Sequence, residues 1–235
     1  MDSSDPSRNR AIVKLKDVAA RAGFSVSTAS RVLNGHPKVG SLEKERVLAA
    51  AAALGYVPNS SARALRSTKT RLVGAIIPTL DHAIYAKMID GLEERLARHG
   101  VSVIISTSSY DLDVELHQAR LLVGRGVEAV ILVGVQHRQE TLDYLAQAGI
   151  ARVFTYTSDR AGGDIAVGFD NRRAGAMAAR FLLDLGHRDI AMVAGVTRNN
   201  DRAAQRRDGF LDELAAAGID RASVPLIEAP YRIDA

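Results

Sequence analysis

LKDVAARAGFSVSTASRVLNG, Leu15 to Gly35, decides how this chain is organised. Val18, Ala19 and Ala22 make one apolar stripe at helical spacing, and Ala29, Val32 and Leu33 make a second, so the stretch reads as two short helices facing a shared core. Gly23 stands where a residue with positive φ ends the first helix, and Ser25 can accept a hydrogen bond as N-cap of the second. The turn between them takes three or four residues. Ser27, Arg31 and Asn34 then fall at spacings of four and three, on the face opposite the apolar stripe. In a helix-turn-helix the second helix enters the major groove of DNA, where an Arg can hold the O6 and N7 edge of guanine. Taken alone, three polar residues read better as a solvated helix face.

Outward from this stretch, charge is placed unevenly. Residues 1–71 hold thirteen Lys and Arg against five Asp and Glu, a net +8, whereas residues 72–235 hold eighteen against twenty-two, a net −4. A compact positive segment attracts a polyanion and releases its counterions on binding; a solvated basic tail has the same composition. A length of 235 residues suits one small domain and one larger one. Without cysteine there is no disulfide, thiolate metal site or cysteine nucleophile, which agrees with a reducing compartment. No apolar run reaches the roughly 18 to 20 residues of a membrane-spanning helix. The polar opening MDSSDPSRNR is not followed by the apolar core and cleavage site of a secretory signal. The expectation is a chain that is neither exported nor held in a membrane.

DVAARAGFSVSTASRVLNG resembles the headpiece signature of the LacI/GalR family of bacterial repressors, in Asp17, Val18, Ala19, Ala22, Gly23, Ser25, Thr28, Ser30, Arg31, Val32, Leu33, Asn34 and Gly35. The likeness continues through a third helix, with Val47, Leu48, Ala51 and Leu54 apolar at helical spacing, into LGYVPNSSARAL, which is similar to the family's hinge motif. The resemblance implies that Val26 and Ser27 choose the operator sequence and that Arg31 reads a base. It implies phosphate or positioning contacts for Ser25, Thr28, Asn34, Tyr56 and Asn59. Leu65 matches a leucine that such repressors push into the minor groove, where a wedge unstacks a base step. An ordinary core leucine is the alternative, which the surrounding Arg63, Arg66, Lys69 and Arg71 disfavour. Four positions depart from the family pattern: Lys14 stands for a capping Thr, Gly40 for a capping Ser, and Phe24 and Ala29 for Val. These bear on the stability of the headpiece, and glycine is still an acceptable N-cap.

PNSSARALRSTKTR, residues 58–71, has room for one or two helical turns after Asn59 as N-cap, a length that is marginal in water by itself. The resemblance implies a hinge that folds on DNA together with that of a dimer partner. An effector that changes the spacing of two paired hinges would act there.

After Arg71, short apolar runs alternate with amphipathic helices, the mark of parallel βαβ units. Strands are expected at 72–78, 101–106, 128–134 and 151–156, with helices at 84–98, 114–125 and 138–148 between them. A second set follows: helix 171–185, strand 189–195, helix 203–217 and strand 223–229. The expected fold class is an all-α helix-turn-helix headpiece plus an α/β, periplasmic-binding-protein-like domain with a doubly wound parallel sheet and an incomplete second lobe. The boundaries are a polar tail at 1–14, the headpiece at 15–57, the hinge at 58–71 and an effector domain at 72–235, whose second lobe starts at about 161. By resemblance the second lobe stops early, and a half-built lobe is expected to expose apolar surface and associate.

Ligands of such sheets sit beyond the carboxyl ends of the strands. That directs attention to Thr79, Leu80, Asp81, His82, Ile84 and Tyr85, to Tyr156 and Asp159, to Asp170 and Asn171, and to residues 200–206. GFDNRRAGAMAARFLLDLGHRDIAMVAG also resembles the family's effector domain, in Asp170, Asn171, Gly175, Leu185, Gly186, His187, Ile190, Ala191 and Gly195. Arg206 matches an arginine with which many relatives bind a sugar or purine. Leu80, His82, Tyr85, Tyr156, Asn200 and Arg206 are therefore the candidate effector residues. Tyr156 stands near a position where sugar-binding relatives often have aspartate, which with His82 and Tyr85 suggests a different or flatter ligand.

Catalytic signatures are missing: the chain has no GxSxG elbow, no HExxH helix and no GxxxxGK[ST] loop. Gly124 and Gly126 follow a helix and read as a turn, and His187 reads as a helix-terminal residue rather than a metal ligand. The expectation is a regulator with no enzymatic activity, cofactor or metal. By resemblance it is a homodimer on a pseudo-palindromic double-stranded DNA operator, controlled by a sugar, purine or related metabolite, in the bacterial cytoplasm at the nucleoid. A small-molecule binding protein with an incidental basic tail and a sugar-modifying α/β enzyme are the competing classes. The first would bind ligand without DNA and normally carry an export signal, and the second would need a catalytic pair.

Overall fold

The computed structural model of the chain describes residues 13–57, 69–159 and 164–231. The chain divides into two compact units, Met1–Thr68 and Lys69–Ala235.

The smaller unit holds three helices: α1 (Leu15–Ala22), α2 (Val26–Leu33) and α3 (Ser41–Leu54). Their core is made of small residues, Val18, Ala19, Ala22, Ala29, Val32, Val47, Ala50 and Ala51, with Phe24, Leu33, Leu54 and Tyr56 closing its edges. The turn from α1 to α2 is Gly23, Phe24 and Ser25. Gly23 adopts φ 76°, and the Ser25 hydroxyl accepts the Thr28 N–H at 3.1 Å. Where Lys14 and Gly40 supply no capping oxygen, the third helical residue does so. Asp17 accepts the N–H of Lys14 and Glu43 that of Gly40, each at 2.8 Å. One expectation fails here: Leu48 is 45% exposed. The inward stripe of α3 runs Val47, Ala50, Ala51 and Leu54, and Leu48 lies one residue, roughly 100°, round the helix from Val47.

The larger unit starts with strand β1 (Leu72–Ile77), followed by α4 (Ala83–Ala97), β2 (Ser102–Thr107), α5 (Leu112–Gly124), β3 (Ala129–Val133), α6 (Gln139–Gln147), β4 (Ala151–Thr155) and β5 (Ile165–Val167). These strands form one sheet in the order β2-β1-β3-β4-β5, and every pairing is parallel. Both faces are covered, so the strands are almost continuously apolar. Ile76, Val130 and Leu132 pack with α5 residues Ala119 and Leu122 on one face, while Ala75, Ile77, Ile131 and Val133 pack with Tyr85 and Ile89 of α4 on the other. Strand β5 has only three residues and no sequence signal separates it from a loop. It carries the first sheet to Val167, beyond the lobe change expected near residue 161.

Beyond β5 come α7 (Asn171–Asp184), β6 (Met192–Gly195), α8 (Asp201–Ala216), a 3₁₀ turn (Arg221–Ser223) and β7 (Leu226–Ala229). Strands β6 and β7 pair in parallel as a separate sheet. Both are shorter than expected. The first begins three residues after the expected start at Asp189, and the 3₁₀ turn takes the start of the second. Helix α8 starts two residues earlier than its apolar pattern, because the Asn200 side chain accepts the Ala203 N–H. Helices α7 and α8 touch at two glycines. A Cβ on Gly175 would lie 2.0 Å from the Arg206 carbonyl oxygen, and one on Gly209 would lie 1.9 Å from that of Arg172. Only glycine permits this approach, and it sets the height of Arg206 against α7. Ala179, Leu183, Phe210, Leu211 and Leu214 fill the space beneath. On the other side of the small sheet, Val193 and Ile227 sit opposite each other in register and are both exposed, as are Met177 and Phe181 along α7 and Leu185 at its C-cap.

Candidate functional site

Two regions gather the residues singled out from sequence. The first is the outer face of α2. Val26, Ser27, Arg31 and Asn34 are all exposed, while Ala29, Ser30 and Val32 on the opposite side are buried. The Ser25 hydroxyl lies 3.0 Å from that of Ser27 and 2.9 Å from that of Thr28, so three hydroxyls cluster at the helix start, where backbone N–H groups lack partners within the helix. Arg31 has no ion-pair partner among the described residues. Asn34 behaves differently from its neighbours: its amide nitrogen donates to the Ser30 carbonyl at 2.8 Å, closing the C-terminal end of α2. Tyr56 lies half-buried against the headpiece core. Asn59 and Leu65, together with Arg63 and Arg66, lie outside the described residues.

The second region is a cleft in the larger unit, at the carboxyl ends of the five parallel strands. Two adjoining cavities of about 590 and 560 Å³ share Asp81, His82, Tyr110, Asn200 and Tyr231. Those volumes lie in the usual range for a small-molecule site. The strand order reverses direction between β1 and β3, the place where open parallel sheets leave room for a ligand.

Of the candidate effector residues, His82, Tyr85, Tyr156, Asn200 and Arg206 line this cleft. Leu80 does not. It sits 57% exposed on the loop before α4 and borders neither cavity, because the chain turns His82, the residue preceding α4, inward instead. Tyr110, Phe169 and Tyr231 are lining residues that the sequence reading passed over. Tyr110 had a usable signal, since SSYD follows the second strand as TLDH follows the first. Tyr231 follows the last strand, and nothing local marks it.

Hydrogen bonds tie the cleft's walls together. Asn171, fully buried, donates to the Tyr156 carbonyl at 2.8 Å and accepts from Arg206, whose other nitrogen donates to the Tyr231 hydroxyl at 3.0 Å. Arg202 is buried at the start of α8, where it donates to the Val133 carbonyl at 2.9 Å and pairs with Asp201 at 2.8 Å. Asp201 in turn accepts the Val135 N–H at 3.0 Å. The first turn of α8 is thus fastened to the end of β3. Asn199 adds a further link, donating to the Tyr110 carbonyl at 2.9 Å. Behind the cleft, His137 is buried with one ring nitrogen 2.8 Å from Glu115 and the other 3.1 Å from the Gly134 carbonyl.

The backbone is strained around this cleft. Among the described residues, five non-glycine residues have positive φ, and four of them, Ser109, Tyr110, Tyr156 and Asn199, border it. Each such residue costs on the order of 1 to 3 kcal/mol, and such strain gathers at functional sites. Burial raises the Tyr110 hydroxyl well above the ordinary tyrosine value, helped by its hydrogen bond with Tyr85. Burial likewise raises Tyr156. Both therefore stay neutral phenols near pH 7. No cluster of His, Cys, Asp or Glu among the described residues could hold a metal, and no described helix is long and apolar enough to cross a membrane.

Residues 14–59 match the model of bacterial regulatory proteins of the lacI family, and residues 70–232 match that of periplasmic binding proteins and the sugar-binding domain of the LacI family. The chain is 31% identical over 222 residues to catabolite control protein A of Priestia megaterium, covering 94% of this chain and 67% of that protein. It is 31% identical over 203 residues to the sucrose operon repressor of Lactococcus lactis subsp. lactis, covering 86% and 63%. A LacI-family transcriptional regulator from Silicibacter pomeroyi superposes with a TM-score of 0.82 at 31% identity, over 92% of this chain and 64% of that one. The lac repressor dimer bound to operator and an anti-inducer superposes with a TM-score of 0.80 at 26% identity, over 94% and 66%. The chain thus spans about two thirds of the length of the relatives it matches. Carrying both family modules in order along its length, this chain belongs to the LacI family of bacterial regulatory proteins.

Proposed function

We propose that this chain is a regulator of transcription, a repressor that binds a double-stranded operator through α2 and is controlled by a small molecule held in the cleft. The observation that carries the reading is the outward row Val26, Ser27 and Arg31 on α2, backed by a packed three-helix core and with no ion-pair partner for Arg31 among the described residues. Val26 and Ser27 select the operator sequence, Arg31 reads a base edge, and Ser25, Thr28, Asn34, Tyr56 and Asn59 position the helix on phosphate. Leu65 serves as the minor-groove wedge of a hinge at 58–71, between the headpiece at 15–57 and the effector domain from residue 72. Asn34 takes up its phosphate contact by exchanging its bond to Ser30. The active species is a homodimer on a pseudo-palindrome, without enzymatic activity, in the bacterial cytoplasm at the nucleoid. A dimer on operator among the similar structures supports this.

The test is a selection of genomic fragments by the full-length protein, followed by binding assays at a stated salt concentration. The expected product is a two-fold symmetric site, with Lys69→Ala weakening all sequences alike. Recovery of no palindrome would overturn the reading.

A further inference from the structure

Four of the chain's six tyrosines, Tyr85, Tyr110, Tyr156 and Tyr231, line the cleft. His82 stacks on Tyr85 with ring centres 5.9 Å apart and meets Tyr231 edge-on at 5.4 Å, while Tyr85 meets Tyr156 edge-on at 5.5 Å. Such a wall presents flat apolar faces with hydroxyls at their margins.

Several of the polar groups that could grip a ligand with many hydroxyls are already engaged within the protein. Asn171 is bonded through both ends of its amide, to Tyr156 and Arg206. Asn200 is likewise bonded through both ends, to Val196 and Ala203. The Asp111 carboxylate caps α5, accepting the N–H groups of Asp113 and Val114. Arg202 is occupied by Val133 and Asp201. Asp81 remains as the lining carboxylate that no described residue engages.

Arg206 is the exception among the cations of α8. Arg202 is neutralised by Asp201, and Arg207 by Asp208 and Glu228. Arg206 donates only to neutral acceptors, Asn171 and the Tyr231 hydroxyl, and has no carboxylate partner among the described residues. A half-buried guanidinium whose charge no described residue cancels is suited to a planar anion, which it can bind in bidentate fashion.

We propose that the cleft takes a planar aromatic ligand bearing a carboxylate, with its ring against the tyrosine wall and its anion on Arg206. This rests on the reading of the cleft as the effector site and narrows the chemistry of that effector. A sugar or an uncharged purine would hydrogen-bond Arg206 without supplying a counter-charge.

Titration calorimetry of the full-length protein tests it with four probes: 4-hydroxybenzoate, 4-hydroxybenzamide, cyclohexanecarboxylate and cellobiose. The expected result is binding of 4-hydroxybenzoate, with the amide and the saturated acid each about ten-fold weaker or more. Arg206→Gln should erase the preference for acid over amide while leaving amide affinity in place, and Arg206→Lys should keep the preference. A variant that fails to fold loses both ligands and is recognised by that. Binding of cellobiose without the aromatic acid, binding of none of the four, or an acid preference that survives Arg206→Gln would each overturn the proposal. Operator binding measured in parallel separates the two readings. If cellobiose alone shifts operator affinity, effector control stands and the ligand class falls. If 4-hydroxybenzoate binds through Arg206 and leaves operator affinity unchanged, the ligand class stands and effector control falls.

Discussion

The outer face of α2 and the cleft of the larger unit prepare their polar groups in opposite ways. On α2 the side chains project outward from a small alanine and valine core, and Arg31 engages no other described residue through an ion pair. In the cleft the side chains are bonded to one another and to strand ends, several are buried, and the backbone that carries them is strained. A surface that meets a long polyanion needs displayed donors on a rigid rod. A pocket that selects one small molecule needs donors held still, with most of them already satisfied. Substitutions in the first region should therefore change binding and spare folding, whereas substitutions in the second should do both.

The largest effect is expected at Asp201. Replacing it with alanine removes the acceptor of the Val135 N–H and leaves the Arg202 cation buried beside a single carbonyl. Breaking a buried pair from one side costs about 3 kcal/mol or more, so Asp201→Ala should lower the urea midpoint of the larger unit and weaken its ligand. An unchanged midpoint would show that the fastening of α8 to β3 contributes little. Arg31→Ala should behave in the contrary way. Losing a bidentate base contact costs roughly 1 to 3 kcal/mol per half-site, read as weaker and less specific operator binding, with the melting temperature of the protein unmoved. If Arg31→Ala lowered the melting temperature as much as the affinity, the separation between the two regions would fail.

That contrast also explains what the sequence disclosed. The headpiece is contiguous: Gly23, Ser25 and the stripe Ala29, Val32 and Leu33 act within a few residues of one another, so their spacing carries the geometry. Leu48 misled because a run of apolar residues in α3 fixes helical periodicity without fixing which neighbour faces in. The sheet was legible because strands buried on both faces are continuously apolar, and β5 was not because three residues carry no period. The cleft is assembled from the segments that follow β1, β2, β4, β5, β6 and β7. Its Tyr231 and Tyr110 become neighbours of Arg206 and Tyr85 only through folding. Leu80 was the reverse case, a residue at the right strand end whose side chain the loop turns away.

Ser25 joins the two behaviours, since its hydroxyl both caps α2 and belongs to the cluster offered to phosphate. Ser25→Ala should cost the headpiece about 1 kcal/mol of stability, together with a loss of operator affinity that is alike for all sequences. A loss of affinity confined to one base position would instead assign Ser25 to base reading.

The smallest effect is expected at Glu128, where the sheet of the larger unit begins. Its carboxylate accepts the Arg71 N–H at 2.7 Å and the Thr70 hydroxyl at 3.2 Å. The Arg71 bond is the main reason that its carboxyl is held below the usual range. A group whose value is lowered by folding stabilises the fold above the ordinary carboxylate range and loses that contribution as pH falls through the folded value. Glu128→Gln keeps an acceptor oxygen and removes the charge, so the variant should be less stable than the parent at neutral pH and equal to it in acid. Amide exchange at Arg71 should show the same convergence, because the carboxylate is then protonated in the parent as well. A stability difference that stayed constant from neutral pH into acid would mean that glutamine fails by shape rather than by charge. In that case the start of β1 would be governed by packing, as the cleft is, and not by a displayed charge as on α2.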